Sequence, residues 1–294
     1  MENKIKVTIA IILGLFVLSW IVSSFFGESA FGNVAHIKIN GLIVPDAERF
    51  LESGTVSSDI VGLIKSAEKE PSIKAILLEI NSPGGSPVAS AEIAEAVKKS
   101  NKTVVAWIRE QGTSGAYWAA SSAYKIVAHP LSITGSIGVY GSYLQFSGLL
   151  ERFNVTYERL VSGEYKDIGS PYKPLTGEER ASMQTTLDLM HEYLIQSIAE
   201  NRNMSVSEVR KLANGNFYIG IEAKKLGLVD FLGGRDVAEE ILKKRENLTE
   251  VRLVEYKTKK SLVDFLAAIT NNFGFYFGEG FANRFLEQEN KIKI

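Results

Sequence analysis

The chain has 294 residues, 45% of them hydrophobic, with 33 Lys and Arg against 34 Asp and Glu. That length holds one large core, or a membrane segment plus one domain, and a formal net charge of −1 lacks the basic excess usual in nucleic-acid binders. The absence of cysteine excludes disulfides, a thiolate nucleophile and cysteine-bound zinc, and three histidines leave few other ways to activate a nucleophile.

In chain order, the first feature is the uncharged run Val7–Phe26, VTIAIILGLFVLSWIVSSFF. At 1.5 Å rise per residue, about 20 residues cross the ~30 Å hydrocarbon layer, so the run predicts one transmembrane helix in contact with lipid. Lys4 and Lys6 precede it and Glu28 is the first charge after it. The positive-inside rule then keeps the N-terminus cytoplasmic and sends the rest of the chain to the outer side. The alternative is a cleaved signal peptide, since small residues (Gly27, Ser29, Ala30) follow the run. A signal-peptide core is usually ~7–15 residues, and the greater length here favours an uncleaved anchor. Residues 1–33 thus read as anchor and linker, 34–250 as the main folded domain, and 251–294 as a tail for packing or subunit contact.

After the linker, strands and helices alternate. Val34–Ile39 reads as a strand, and Ile60, Leu63, Ile64 and Ala67 follow helical spacing. Lys74–Ile80 is a strand, Ala89, Ile93 and Val97 mark a helix, Thr103–Ile108 is the next strand, and Lys125–Ala128 is strand-like. This βαβαβ rhythm predicts parallel strands with helical crossovers. Thr156–Val161 reads as a further strand. Beyond it the chain turns helical: Thr176–Asn201, a helix opened by the capping box Ser205-Val206-Ser207-Glu208, Glu222–Leu226 stopped by Gly227, and a helix from Gly234 to Lys244.

Three loops carry residue types suited to chemistry. Asn81-Ser82-Pro83-Gly84-Gly85 lies between a strand and a helix. Its glycines allow close backbone approach, and N–H groups at such a turn suit a developing oxyanion. The plainer reading is a tight turn. Ser114, in Gly112-Thr113-Ser114-Gly115-Ala116-Tyr117, follows the next strand. A serine there is often an N-cap, yet its small neighbours leave the hydroxyl accessible. On neighbouring strands the two turns would bring the Gly85 and Gly115 N–H groups near one carbonyl oxygen. Lys166 lies in Ser162-Gly163-Glu164-Tyr165-Lys166-Asp167. A lone lysine is ordinarily a solvated surface charge, and one acting as a base must be neutral. At the ordinary pKa of ~10.4 only about one lysine in 2,500 is neutral at pH 7, so such a role requires burial. A Ser–His pair would be commoner, and His129, in Ala128-His129-Pro130, is set aside only by the family resemblance given below, in which the corresponding position is not catalytic; His36 and His191 have no acidic partner at suggestive spacing.

The ordered set Ser82-Pro83-Gly84-Gly85, Thr113-Ser114-Gly115-Ala116-Tyr117, Ile133–Val139, Ser162–Asp167, Gly169-Ser170-Pro171, Leu175–Arg180 and Ala223–Asp230 resembles the signal peptide peptidase A family, over roughly Val34–Leu242. The resemblance implies a membrane-bound serine protease with a Ser-Lys dyad on an α/β fold. That fold is a ClpP/crotonase-like repeated ββα/βαβ core with a helical C-terminal extension. By position, Ser114 matches the nucleophile, Lys166 the general base, and Ser136 the hydroxyl that orients the lysine. Gly85 and Gly115 match the oxyanion hole, and neither a cofactor nor a metal is implied. Ala116-Tyr117-Trp118 departs from the family's usual Gly-Tyr-Tyr, at the wall of the site. The resemblance also implies a homo-oligomeric ring or dome in which, in the short form, serine and lysine come from adjacent protomers. The substrates it implies are released signal peptides and other hydrophobic, membrane-proximal peptides. Rival readings are a stomatin-processing Ser-Lys protease, a crotonase-type acyl-CoA enzyme and a membrane scaffold with a vestigial dyad. The acyl-CoA reading suffers from the scarcity of Asp and Glu near the glycine-rich turns.

Overall fold

The computed structural model describes residues 13–16, 32–45 and 54–258. Most of the expected anchor Val7–Phe26, and the tail past residue 258, lie outside the described residues. Among the described residues no helix is long and apolar enough to cross a membrane.

The first half runs β1 (Val34–Asn40), β2 (Ile43–Val44), β3 (Thr55–Val56), α1 (Ser57–Lys69), β4 (Ala75–Ser82), α2 (Pro87–Lys99), β5 (Thr103–Thr113), α3 (Gly115–Ser121), β6 (Lys125–Ala128) and β7 (Ile133–Gly135). The second half runs α4 (Ser147–Arg152), α5 (Gly177–Arg202), α6 (Val206–Leu212), β8 (Phe217–Ile219), α7 (Gly220–Lys225), β9 (Phe231–Leu232), α8 (Arg235–Arg245) and β10 (Leu253–Glu255). The main sheet has the order β10-β1-β4-β5-β6-β9, with every neighbouring pair parallel. β7 pairs in parallel with the last residues of β5, and β8 closes against β7 antiparallel. The mixed α/β architecture with a largely parallel sheet is therefore as expected.

Both sheet faces are covered, which is why β4 is a near-continuous apolar run rather than an alternating one. Ile76, Leu78 and Ile80 face Ile60 and Ile64 of α1, Ile93 of α2 and Ile198 of α5. Leu77, with Val34, Val105 and Val127, faces Ala238 and Leu242 of α8. The capping box at Ser205 forms as read, Ser205 accepting from the Glu208 amide, and α5 has a second one that the sequence reading did not name, with Thr176 accepting from the Glu179 amide.

Two expectations fail. Thr156–Val161 is not a strand: the segment stands largely exposed, and among the described residues none completes a ladder with it. His36 does have an acidic partner: its Nε2 lies 2.8 Å from Glu79 Oε2, on the adjacent strand β4 and 43 positions away in sequence. Arg109 Nη1 donates to the same carboxylate at 3.2 Å.

Asp230 ties the end of α5 to β6. Its carboxylate accepts from Arg202 Nη1 (2.9 Å) and from the Ile126 amide (2.8 Å), with Lys125 at 3.4 Å. Burial pushes this carboxyl's pKa up, but Arg202, the Ile126 amide and Lys125 outweigh it and hold it below the ordinary value. A depressed folded pKa contributes stability that is present above the unfolded value of ~3.9 and is lost as pH falls through the folded one. Asp230→Asn is expected to lower Tm at pH 7 by roughly 2–8 °C, for a loss of about 1–2 kcal/mol after allowing for partial solvent screening. Thermal melts from pH 7 to 3 should show the gap to the parent protein closing at the acid end; a constant gap would disprove the linkage.

Candidate active site

The C-terminal ends of β4 and β5 lie side by side, with Ser82 in register with Gly112. In open parallel sheets, ligands bind beyond these ends. The loop after β4 is fixed from three directions. The Ile43 amide donates to the Gly84 carbonyl and the Ser86 amide to the Ile43 carbonyl, both at 2.9 Å. The Gly84 amide donates to Ser82 Oγ at 3.0 Å, and Thr113 Oγ1 donates to the Pro83 carbonyl at 3.1 Å.

The packing leaves no room for side chains at the loop glycines. Gly84 has φ +94°, and a Cβ on it would stand 2.7 Å from the Gly115 nitrogen. A Cβ on Gly85 would stand 2.0 Å from the Ile43 carbonyl oxygen, and one on Gly115 2.1 Å from Ser90 Oγ. That same Gly115 position is 3.5 Å from the Gly85 nitrogen, so the two amides serve one small region. The pairing with Ile43 does not use the Gly85 amide. Gly115 opens α3, where N–H groups have no intrahelical acceptor.

Ser114 is the residue between. Its φ of 53° and ψ of −124° lie outside the regions a non-glycine residue ordinarily adopts, a conformation costing about 1–3 kcal/mol. The conformation survives because the surroundings dictate it. The Ser114 amide donates to the Gly135 carbonyl at 2.8 Å, and its carbonyl accepts from the Trp118 amide at 3.0 Å. Ser114 occupies the N-cap position of α3, yet its side chain makes no capping bond. The half-buried hydroxyl instead borders a cavity of about 430 Å³ whose lining includes Gly85 and Gly115. Val88, Trp118, Val139, Leu189, Met190 and Leu194 make its walls mostly apolar. A sharp strand-to-helix turn that presents a hydroxyl beside two amides is the arrangement needed for acyl transfer.

Ser136 follows β7, and Gly135 pairs with Thr113, so Ser136 is held close to the Ser114 turn. It too has positive φ (48°). Its amide donates to the Asn216 carbonyl at 2.8 Å and its hydroxyl to the Gly215 carbonyl at 3.2 Å.

Lys166 stands apart from this group. It is exposed in a turn where its amide donates to the Gly163 carbonyl at 3.1 Å, and it is not among the residues lining the Ser114 cavity. The turn itself is well anchored. Arg159 grips the Asp167 carboxylate at 2.6 and 2.8 Å, and Lys173 pairs with both Asp167 and Glu179. The hydrogen bonds from Arg159 hold the Asp167 carboxyl below its ordinary pKa. Within one chain the fold therefore gathers Ser114, Gly85 and Gly115, with Ser136 on the next strand end, and leaves Lys166 elsewhere.

None of the histidines lines the cavity. His129 is exposed, and its Nδ1 accepts from the Leu131 amide at 3.2 Å. Sequence reading missed two contributors and noted a third. Ile43 clamps the loop, but nothing in its neighbourhood signals that. Ser90, fully buried, places an unpartnered hydroxyl under Gly115. Its spacing from Ala89 and Ile93 had placed it only on a helix. Trp118 was noticed as a departure at the wall, and it is one.

Comparison with known proteins points the same way. Residues 96–249 match the family model described as peptidase family S49. A Methanocaldococcus jannaschii protein bearing the name of a protease is 35% identical over 75% of this chain and 71% of its own. Protease 4 of Salmonella typhi is 33% identical over 79% of this chain and 38% of its own. The chloroplastic serine protease SPPA of Arabidopsis thaliana is 30% identical over 74% of this chain and 33% of its own.

Proposed function

We propose, from the fact that this chain belongs to peptidase family S49 and to its signal peptide peptidase A type, that Ser114 and Lys166 form the catalytic pair of a membrane-anchored serine endopeptidase. The observation that carries the reading is Ser114 itself: a strained residue whose hydroxyl is uncommitted within the fold and sits beside the Gly85 and Gly115 amides. Strain kept by neighbouring structure at a cavity mouth is a signature of function.

In the reaction, neutral Lys166 takes the hydroxyl proton as Ser114 Oγ attacks the peptide carbonyl. The Gly85 and Gly115 amides hold the resulting oxyanion. The lysine, oriented by the Ser136 hydroxyl, passes its proton to the departing amine, leaving an acyl-enzyme that water hydrolyses. The substrates are hydrophobic peptides, released signal peptides among them, met at the outer membrane face by a domain tethered through Val7–Phe26. The apolar cavity walls support that class. The same resemblance supports a ClpP/crotonase-like core.

The base is supplied by a neighbouring copy. Lys166 is exposed and outside its own chain's cavity. The excursion that carries it, between β7 and α5, also exposes large apolar side chains: Tyr140 is 88% exposed and Leu160 96%. Such a surface is suited to subunit contact, in a head-to-tail ring. Hydrolysis of a synthetic signal peptide by the full chain in detergent or vesicles tests this. Ser114→Ala and Lys166→Ala should each be inactive. Equal mixing of the two should restore roughly a quarter of parental activity, the fraction of head-to-tail interfaces that join an intact serine to an intact lysine. Mixed oligomers verified by differential tagging that stay inactive would place both residues of the pair in one chain.

A further inference from the structure

The cavity beside Ser114 has a second chamber next to it, and two side chains in contact, Trp118 and Tyr193, line both. The first cavity holds about 430 Å³ and the second, between α2, α3 and α5, about 230 Å³; of the two side chains only Trp118 lies in the Ser114 turn's own helix, α3. It is only 7% exposed. Its Nε1 donates to Ser197 Oγ at 2.7 Å, and Tyr193 meets its ring edge-on at 5.9 Å between centroids. The indole is thus held from behind by a hydrogen bond and from the side by an aromatic contact, each of which limits its rotation.

The two chambers differ in chemistry. On the Ser114 side the walls are mostly apolar. Behind the indole lie Glu95, Lys98, Gln196, Glu200 and Asn201. Lys98 is bound to Glu200 at 2.7 Å, and Asn201 Nδ2 donates to the Ser121 and Ser122 hydroxyls at 3.0 Å each. Asn201 Oδ1 is buried with no hydrogen-bond donor. The rear chamber therefore offers acceptors, and the front one offers apolar contact.

We propose that Trp118 is a specificity-determining residue. It is the partition that fixes how long a substrate side chain the Ser114 cavity accepts, and it keeps that side chain from the acceptors behind. The inference rests on the hydrolase reading, because the side chain in question belongs to the residue whose carbonyl Ser114 attacks. Medium apolar side chains match the walls of the front chamber. A long side chain ending in N–H donors would bury them against apolar walls without a partner, and that is costly. With the indole removed, the same side chain would meet Asn201 Oδ1, which lacks a donor, and the carboxylates of Glu95 and Glu200, which Lys99 and Lys98 already hold at 2.7 Å each.

The test compares otherwise identical peptides with Leu or Arg at that residue. With the intact protein, kcat/KM should favour Leu. In Trp118→Ala the Arg-to-Leu ratio should rise by about tenfold or more, the scale on which pocket shape discriminates side chains. Ser197→Ala, which frees the indole N–H but keeps the ring, should move the ratio part of the way. The same two peptides are also bound, without turnover, to Ser114→Ala protein with and without Trp118→Ala, and read by fluorescence polarisation; the affinity ratio should move in the same direction. Where Trp118→Ala fails to show a cooperative melt, Trp118→Leu is read instead. An unchanged ratio in a folded Trp118 variant, or an intact protein that takes Arg as well as Leu, overturns the partition. Hydrolysis that survives Ser114→Ala overturns the hydrolase reading instead, while the binding ratio still decides the role of Trp118.

Discussion

Ser114→Ala is expected to lower peptide hydrolysis by about 10⁴-fold or more, the scale seen when a covalent nucleophile is removed. The loss should be chemical and not structural. Ser114 Oγ makes no capping bond, so its removal leaves no group in the fold without a partner. Tm should stay within a few degrees of the parent, and far-ultraviolet circular dichroism should be unchanged. A fluorophosphonate or peptide aldehyde should label the parent at Ser114, located by mass spectrometry of the digest, and leave the variant unlabelled. Ser114→Gly separates strain from chemistry. Glycine adopts positive φ freely, so this variant should be as inactive yet more stable, by roughly 1 kcal/mol. Near-parental turnover in Ser114→Ala would end the assignment of Ser114 as nucleophile.

The second large effect is expected from Gly85→Ala. The added methyl would stand 2.0 Å from the Ile43 carbonyl oxygen and 2.7 Å from its nitrogen, and these are backbone atoms that cannot rotate away. The loop must shift, and the Gly85 amide shifts with it. Losing one oxyanion donor typically lowers kcat by ~100–1,000-fold. The effect should fall on kcat more than on KM, since the apolar cavity walls remain. Gly62→Ala is the matched control. Gly62 lies in α1 with nothing within 4 Å of a Cβ, so this change should leave turnover alone and add about 0.5–1 kcal/mol of stability. Equal kcat in Gly85→Ala and the parent would remove Gly85 from the oxyanion hole.

The parallel core was legible because local pattern and burial agree in it. KAILLEI can only be a strand covered on both faces, and Ser114 stands where an apolar strand meets a run of small residues. The capping box announced α6 for the same reason, since the cap depends on residues three apart. What failed depended on partners distant in sequence. Thr156–Val161 has the composition of a strand, but a ladder needs a neighbour and the described residues supply none. β10 was not read as a strand; it gains its identity from pairing with Val34–His36, more than 200 residues earlier. The bond between His36 and Glu79 is invisible to spacing for the same reason. At the site, the turns were legible as motifs, whereas the Ile43 clamp and the place of Trp118 between two cavities exist only once the chain is folded.

The separation of Lys166 from its own chain's cavity bears on how such a protease is kept harmless. Enzymes that hold a complete catalytic set from birth commonly need a propeptide or an inhibitor to stay quiet. On the pairing across copies proposed above, a copy with its base on an outlying loop would need neither, because a solitary molecule would have a nucleophile and nothing to deprotonate it. Dilution of copies would then be the safety catch, and their crowding its release.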